Sequence, residues 1–352
     1  MRSNIGTAAV RDAAPIEKAK VVPDYTVAEA EDATQWEAHL ARHPRHNLFT
    51  SWGWGDYKAR LGWTVRRLLV RNKGGDCVAM AQVQTKGRFG LKAVYVHGGP
   101  LFFTDDDVVV ERAFKALLAF VDPGWLGLVI VSYERFDTPA ALMGTLACGL
   151  TPALSRSQHT IVLDTARGLE TVRKKLRRFW SRQLNKALAD PDVTASYAED
   201  PVERQEAFDA LAGMYSSLAT RKGFEMAIVP EAFRDFAIAD ERFVFVVVRR
   251  KQEIVAVRIA HGAADRLVDH VAASASETGA DGVNHLAIWR LVEYAARTGQ
   301  PFDFCGIDPV ANPGVFNSKR GVSGEAVQSG PFWLHGRNRL LQAAAQVMLA
   351  LR

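Results

Sequence analysis

Two parts of the chain repeat one pattern of apolar and polar positions. In the first, the apolar stretches "VRRLLVR" and "CVAMAQVQT" flank the turn "NKGGD"; in the second, "RFVFVVVRR" and "IVAVRIAHG" flank "KQE". Each pair follows a helical pattern and precedes a third apolar stretch, an amphipathic helix and a last short strand. The pattern predicts an α+β fold with two tandem copies of one unit, each a mostly antiparallel central sheet flanked by helices.

The repeat divides the 352-residue chain into four segments. We expect a flexible N-terminal segment over residues 1–22, a first domain over 23–165 and a second over 166–330. Residues 331–352 are predicted to form a C-terminal helix that packs back on the first domain. The N-terminal segment lacks the apolar run of a signal peptide, and the run "LLQAAAQVMLAL" near the C-terminus is too short to span a bilayer.

Composition narrows the class of protein. Charged residues make up 24% of the chain and hydrophobic residues 48%, a balance typical of soluble globular proteins. The formal net charge of +5 favours an anionic partner such as phosphate, nucleic acid or a membrane surface. Cys77, Cys148 and Cys305 match neither a disulfide framework nor a zinc site. We therefore expect a cytoplasmic protein with no bound metal or cofactor.

Between the two copies lies the basic segment "VRKKLRRFWSRQLNKAL", residues 172–188. Its apolar residues recur at helical spacing, so we predict a single helix. Lys174, Arg178 and Arg182 then form a row along one face at i, i+4 spacing. A solvated surface explains most charged helices, but a row of one sign repels itself and is easier to understand beside an anion. We predict that this row contacts nucleic-acid phosphates.

Near the end of the second copy, the apolar strand "FDFCGI" gives way to a loop that contains "SKRGVSGEAV". The glycines on both sides of Lys319 predict a loop that bends and closes. An exposed turn is the plain interpretation. The alternative is that Lys319 is delivered to a site between the two copies.

Three motifs, in order along the chain, are similar to those of the Fem family. "NLFTSWGWGDYKARLGW" resembles its N-terminal motif, "YSSLATRKGF" its segment ending Arg-x-Gly-Phe, and "FDFCGI" with "SKRGVSGEAV" its Asp-Phe-Gly-Gly-Ile strand and Phe-Lys loop. Together they cover roughly residues 45–330. The resemblance departs at Ser318, Val322 and Ser323, where the family usually has Phe, Phe and Gly.

The resemblance implies a tRNA-dependent aminoacyltransferase with a duplicated GNAT-type fold. Fem enzymes move an amino acid from aminoacyl-tRNA to an amine of a peptidoglycan precursor during cell wall biogenesis, and relatives acylate small secondary metabolites. Lys58 and Arg221 match the pair that grips the precursor's diphosphate. We expect the aromatic residues of these motifs, Trp54, Tyr57 and Phe224, to help bind the substrate. A lipid-linked acceptor would add a peripheral membrane contact.

The chemistry needs few groups because an aminoacyl ester is already activated. The enzyme must hold an amine against the ester carbonyl and stabilise the developing oxyanion. The resemblance gives Lys319 a place close to the transfer centre, where its charge suits the second task. Asp105 and Asp106 are candidates for accepting the amine proton. Capping of the helix that begins beside them is the alternative role for these carboxylates.

Two other functions stay open. An acyl-CoA-dependent N-acyltransferase shares the GNAT fold, but needs a Gly-rich turn for the CoA pyrophosphate. The corresponding turns, "FFTDDDVV" and "ETGADGVN", are acidic or lack the expected glycine spacing. The second alternative is a non-catalytic binder of anionic glycans or nucleotides that keeps the fold without the chemistry.

Overall fold

The structure is a computed structural model that describes residues 24–133, 138–153, 159–223, 226, 228–275, 281–310, 312–322 and 324–351. Helices α1 to α11 span Ala33–Leu40, Trp52–Arg60, Asp107–Val121, Pro139–Ala147, Leu169–Lys175, Arg178–Ala189, Pro201–Lys222, Pro230–Ala239, Val283–Arg297, Pro313–Arg320 and Arg339–Leu351. Strands β1 to β15 span Tyr25–Glu29, Thr64–Asn72, Cys77–Arg88, Leu91–His97, Leu101–Phe102, Gly127–Ser132, Thr151–Ala153, His159–Leu163, Val193–Ala198, Phe243–Arg250, Glu253–Gly262, Leu267–Ser274, Phe302–Asp303, Glu325–Gln328 and Phe332–His335. The predicted flexible segment, residues 1–22, lies outside the described residues.

The strands form two sheets, as the repeat predicts. The first sheet has the order β1-β2-β3-β4-β6-β15-β7, with β5 paired to β3, and the second has the order β14-β8-β13-β12-β11-β10-β9. In each sheet, a three-stranded antiparallel meander is followed by a helix and a parallel strand: β4 with β6 in the first, and β12 with β13 in the second. The α+β fold with two GNAT-like units is therefore confirmed.

Two strands belong to the sheet of the other half of the chain. β8 precedes residue 165 but pairs with β13 and β14 of the second sheet. β15 follows the second copy and returns to the first sheet, between β6 and β7. Helix α11 then packs on β6 and β7 through Leu341, Ala345 and Leu349. Each half of the chain thus contributes a strand to the sheet of the other half.

Helices cover both faces of each sheet because each sheet has apolar side chains on both faces. In the second sheet, α6 and α9 bury Trp180 and Leu286 on one face, and α7 and α8 bury Phe208 and Phe233 on the other. Each such side chain contributes about 1.5–3 kcal/mol by its burial. In the first sheet, α3 and α4 pack over a similar apolar face.

Helix α2 joins the two halves. Its residues Trp54 and Tyr57 belong to the same apolar cluster as Phe233 of α8. The Tyr57 hydroxyl accepts a hydrogen bond of 3.2 Å from the Val229 backbone N–H, and Arg60 pairs with Asp235 at 2.9 Å. The first-half motif around α2 is therefore packed directly against the second half.

One local prediction is wrong. The basic segment is not one helix: α5 ends at Lys175, and α6 begins at Arg178 after Leu176 adopts extended backbone with ψ 134°. Leu176 packs into the core of the second half, which fixes the break. Helix α9 begins after Gly282, which has a φ of 80°, and the Asn284 amide donates to the Ser274 hydroxyl.

Two features are absent from the described residues. None of the helices in these ranges is long and apolar enough to cross a bilayer. Within the same ranges, no group of three or more His, Cys, Asp or Glu side chains is arranged to hold a metal ion.

Candidate active site

A gap opens at the centre of the second sheet. The parallel strands β12 and β13 pair at only two positions, Leu267 with Phe302 and Val268 with Asp303. β13 then ends, whereas β12 continues to Ser274. Beyond the paired positions, the backbone groups on this edge of β12 are able to bond to a ligand lying in the gap.

Lys319 points into this region from α10. Its ammonium donates hydrogen bonds of 3.2 Å and 2.8 Å to the backbone carbonyls of Cys305 and Gly306, the residues that follow β13. The prediction that Lys319 lies on a bending loop is wrong. Asn312 caps the segment and Pro313 occupies the first turn, so the residues after the loop form a helix that ends at Arg320.

The surroundings of Lys319 are buried and charged. Burial lowers its pKa below the ordinary value, while nearby Asp269 acts in the opposite direction. Asp269 is almost fully buried on β12, and Arg258 of β11 lies 3.4 Å from its carboxylate. Burial raises the pKa of Asp269, and the Arg258 charge opposes that rise. An ammonium has three N–H donors, so two backbone bonds leave one for a substrate oxygen.

Sequence reasoning missed Arg258 and Asp269. The available signal was a charged residue within each of two apolar strands, "IVAVRIAHG" and "RLVDHVAAS". Charged side chains are rarely buried unless they are paired, so such positions mark a candidate site.

Asp303 shapes the backbone on which Lys319 rests. Its carboxylate accepts hydrogen bonds from the Cys305 N–H at 2.8 Å, from the Thr160 hydroxyl and from Arg266 at 3.1 Å. Cys305 has a φ of 59°, a left-handed conformation that is uncommon for residues other than glycine. The Asp303 contact fixes this turn, which directs two carbonyls towards the Lys319 ammonium.

A second cationic group lies on the first half. The Lys58 ammonium is 5.6 Å from the ring centre of Trp54 and 4.9 Å from that of Trp63. Burial lowers the pKa of Lys58, and the charge of Lys86 lowers it further. Lys86 also lies over Trp63, at 5.5 Å. Two neighbouring cations that repel each other beside aromatic rings are stabilised by a bound anion.

The other residues predicted for the acceptor site lie around the same helix. Tyr57 is buried and holds the segment at Val229, as described above. Arg221 is exposed in the last turn of α7, which Gly223 ends in a left-handed conformation. Phe224 lies outside the described residues.

A chain of three rings lies between the two lysine sites. The His97 ring stacks on Phe49 with centroids 3.5 Å apart, and the Phe49 ring meets His270 of β12 edge-on at 6.0 Å. Burial lowers the pKa of His97, and the Lys58 charge lowers it further. His270 directly follows Asp269, which interacts with Lys319.

The structure gives Asp106 the capping role. Its carboxylate accepts hydrogen bonds from the N–H groups of Val108 and Val109, at 2.9 Å and 3.2 Å, at the start of α3. Asp105 is exposed beside it. Participation of either carboxylate in proton transfer stays a prediction.

Helix α6 covers the N-terminus of α9. A Cβ atom placed on Gly282 would lie 2.1 Å from the Gln183 carbonyl oxygen and 3.2 Å from the Ala187 methyl group. In an acyl-CoA site of the GNAT type, this helix start would receive the pyrophosphate. Here it faces the backbone of a neighbouring helix instead.

The predicted phosphate-binding row is divided between two helices. Lys174 lies on α5 and pairs with Glu170 at 3.7 Å. Arg178 and Arg182 lie exposed on α6, where they are one turn apart and keep the predicted spacing.

Family models match both halves of the chain. Residues 32–123 match the FemAB family, and residues 172–311 match an acetyltransferase (GNAT) domain. No curated protein matches the chain.

Solved structures show the fold across nearly the whole chain. FemX, 13% identical, has a TM-score of 0.74, with 91% of this chain and 100% of FemX covered. L-PGS from Bacillus licheniformis, 14% identical, has a TM-score of 0.59, with 92% and 99% covered. A tandem GNAT protein from the clavulanic acid biosynthesis pathway, 12% identical, has a TM-score of 0.51, with 89% and 98% covered.

These findings confirm the resemblance to the Fem family predicted from the sequence, and they show a duplicated GNAT-type fold over most of the chain.

Proposed function

We propose that the protein is an aminoacyltransferase that uses aminoacyl-tRNA as its donor. Its acceptor is an amine on a diphosphate-bearing peptidoglycan precursor or a related small molecule, and the product is an amide. The FemAB match of the first half and the likeness to FemX support this class.

The observation that carries the choice of donor is the packing of α6 on α9. The Gln183 carbonyl crowds Gly282, the residue before the start of α9, which is the helix start that would receive a CoA pyrophosphate. In the first half, the corresponding helix α3 begins after Asp105 and Asp106, and the Asp106 carboxylate already occupies the first N–H groups. A pyrophosphate would be repelled there. Both copies are therefore poorly suited to CoA.

The gap between β12 and β13 suits the aminoacyl ester. The acceptor amine attacks the ester carbonyl, so a C–N bond forms and the carbonyl oxygen becomes an oxyanion. The third N–H of Lys319 stabilises this charge. The C–O bond to the ribose then breaks, and the ribose hydroxyl takes up a proton as the amine loses one. Lys319 does not form a covalent intermediate in this scheme.

Asp269 is the carboxylate best placed to balance Lys319. It lies beside the lysine, and its raised pKa makes it a stronger base than an exposed aspartate. It is therefore a candidate proton acceptor in addition to Asp105 and Asp106. The Asp106 oxygen is committed to two backbone N–H groups.

The acceptor's diphosphate is assigned to the cations around α2. Lys58 and Lys86 supply two positive charges over Trp63, and Arg221 follows on α7. A diphosphate relieves the repulsion between the two lysines. The aromatic rings of Trp54 and Tyr57 form the floor of this site.

One observation favours a second candidate. Residues 172–311 match a GNAT acetyltransferase domain, a class that includes acyl-CoA-dependent N-acyltransferases. Such an enzyme would bind its donor in the same gap, but would need α6 to move away from α9.

A transfer assay distinguishes the donors. Aminoacyl-tRNA charged with labelled amino acids and, separately, labelled acyl-CoA would be offered with a cell extract as the source of acceptors. We expect labelled product from the tRNA pool alone, and none after ribonuclease treatment. Lys319→Ala serves as the inactive control. Transfer from acyl-CoA that survives ribonuclease would establish the second candidate, and acceptor binding without turnover would identify a binding protein.

A further inference from the structure

The hairpin between β3 and β4 carries an exposed phenylalanine in an unfavourable backbone conformation. Arg88 pairs with Leu91, so Phe89 and Gly90 form a two-residue turn. Phe89 has a φ of 52° and its side chain is 87% exposed. Turns of this type favour asparagine, aspartate or glycine, and a bulky residue at positive φ is strained. An exposed, strained aromatic residue indicates a function at the tip of the hairpin.

A second exposed aromatic residue lies beside this tip. Trp125, in the loop between α3 and β6, is 64% exposed, and the adjacent Leu126 is about half exposed. The Leu126 carbonyl accepts a hydrogen bond of 3.0 Å from the Lys92 N–H, and the Leu126 side chain reaches Gly90. Phe89, Leu91, Trp125 and Leu126 therefore form one apolar patch, which we call the hairpin patch.

Helix α11 extends this patch. Its inner face packs on the first sheet, but Leu340, Val347, Met348 and Leu351 project outward at helical spacing. Leu340 is 82% exposed and Met348 68%. Residues 340–351 contain no charged side chain. A helix that is apolar on both faces needs a partner for the outer one.

The two apolar surfaces are adjacent. Arg337, just before α11, pairs at 2.8 Å with Asp122, which precedes the Trp125 loop. A Cβ atom on Gly336 would lie 3.0 Å from the Gly127 carbonyl oxygen, at the end of the same loop. The N-terminal end of α11 thus lies beside the loop of the hairpin patch.

The charges around this side have one dominant sign. Segments 88–92, 122–127 and 336–351 contain the basic residues Arg88, Lys92, Arg337 and Arg339, and a single acidic residue, Asp122. Asp122 is paired with Arg337. If two copies of the chain met through this surface, the arginines and lysines of one copy would face those of the other and repel them. An anionic lipid surface complements both the charge and the apolar side chains.

We propose that this side of the first domain docks on an anionic membrane, with Phe89 and Trp125 inserted at the level of the headgroups and α11 lying in the plane of the interface. The docking surface is separate from the transferase site, and the proposal does not depend on which donor the enzyme uses. It would hold the protein at a bilayer through one face of the first domain.

Vesicle sedimentation with the full chain tests the proposal. The probes are vesicles of phosphatidylcholine containing about one third phosphatidylglycerol, and vesicles of phosphatidylcholine alone. We expect binding to the first that weakens with salt, and much weaker binding to the second. Phe89→Ser with Trp125→Ser, and separately Val347→Gln with Met348→Gln, should each reduce the partition coefficient about tenfold or more. Arg88→Gln should reduce it about fivefold.

Val202→Gln is the matched control. Val202 is an exposed valine on helix α7 of the second half, so its replacement should leave binding unchanged. All variants should keep the parental circular dichroism and thermal transition, because the replaced side chains are exposed. Equal binding to both vesicle types, or binding unaffected by both double variants, overturns the proposal. Dimerisation abolished by Val347→Gln, without vesicle binding, assigns the surface to a second copy instead.

Discussion

The Lys319 ammonium donates a hydrogen bond of 2.8 Å to the carbonyl of Gly306, across the gap that follows β13. The turn and helix α10 lie between Gly306 and Lys319 in the sequence, so this hydrogen bond joins the two ends of that segment. The lysine is held in place before any substrate arrives. Preorganised charge of this kind is what stabilisation of an oxyanion requires.

Lys319→Ala should lower kcat about 10²-fold or more, the scale of removing one oxyanion-stabilising group. Because the side chain is partly buried and makes two hydrogen bonds, its loss should also lower the free energy of unfolding by about 1–2 kcal/mol. Steady-state kinetics and urea unfolding measure the two effects. Arg320→Ala, at the exposed next position, is the control and should change neither.

The pH dependence of Lys319→Arg adds a test of charge. Burial lowers the pKa of Lys319, so the protonated form should be lost at a lower pH than for an ordinary lysine. Activity that needs the ammonium then falls on the alkaline side. An arginine keeps its charge there, so any residual activity of this variant should lack the alkaline fall. Parental kcat in Lys319→Ala would falsify the catalytic role.

Lys58→Ala and Arg221→Ala should raise the KM for the acceptor and leave kcat nearly unchanged, because they are expected to contribute ground-state binding. Lys86→Ala should act in the same direction, since Lys86 shares the Trp63 ring with Lys58. Initial rates at varied acceptor concentration provide the measurement. A fall in kcat at constant KM would indicate that these residues act in the transfer step and not in acceptor binding.

Replacing both Arg178 and Arg182 with Gln should weaken tRNA binding and lower its salt slope by about two. Lys174→Gln should have a smaller effect, because Lys174 lies on a separate helix and already has Glu170 as a partner. Filter binding at several salt concentrations measures both quantities. Equal salt slopes for the parent protein, the double variant and Lys174→Gln would mean that these side chains are solvated and do not contact tRNA.

Gly282→Ala should destabilise the protein more than Gly299→Ala. Both glycines have positive φ and flank the same helix, α9, so both substitutions carry a backbone cost of about 1 kcal/mol. A Cβ at Gly282 also meets the Gln183 carbonyl at 2.1 Å, whereas at Gly299 it meets no described atom within 4 Å. Thermal unfolding of the pair measures the difference. Equal destabilisation would contradict the packing of α6 on α9.

Acid should weaken the contact between the halves through His97 and His270. Desolvation lowers the pKa of each to about 3, so the unfolded chain binds more protons than the folded one between pH 6.5 and 3. The free energy of unfolding therefore falls as pH falls through this window, by up to about 1.4 kcal/mol per pH unit for each histidine. His97→Phe keeps a ring against Phe49 and should flatten this slope. His159→Gln, at an exposed histidine, should not.

The sequence by itself determined the secondary-structure plan and the family resemblance. The apolar runs in "RFVFVVVRR" and "IVAVRIAHG", and the helical spacing in the segment from Leu286 to Ala296, are local features of the chain. The Fem-like motifs are also local strings, so Lys58 and Lys319 could be selected before any coordinates. Asp106 as a helix cap was likewise readable from its position.

The tertiary structure decided what local patterns do not encode. Burial of Leu176 breaks the basic helix and separates Lys174 from Arg178. The early end of β13 opens the gap, and long-range packing brings Asp269 and Arg258 to Lys319. The cover of α6 over Gly282 joins residues almost a hundred positions apart. Such contacts depend on how whole elements pack, because desolvation and charge pairing arise only when distant segments meet.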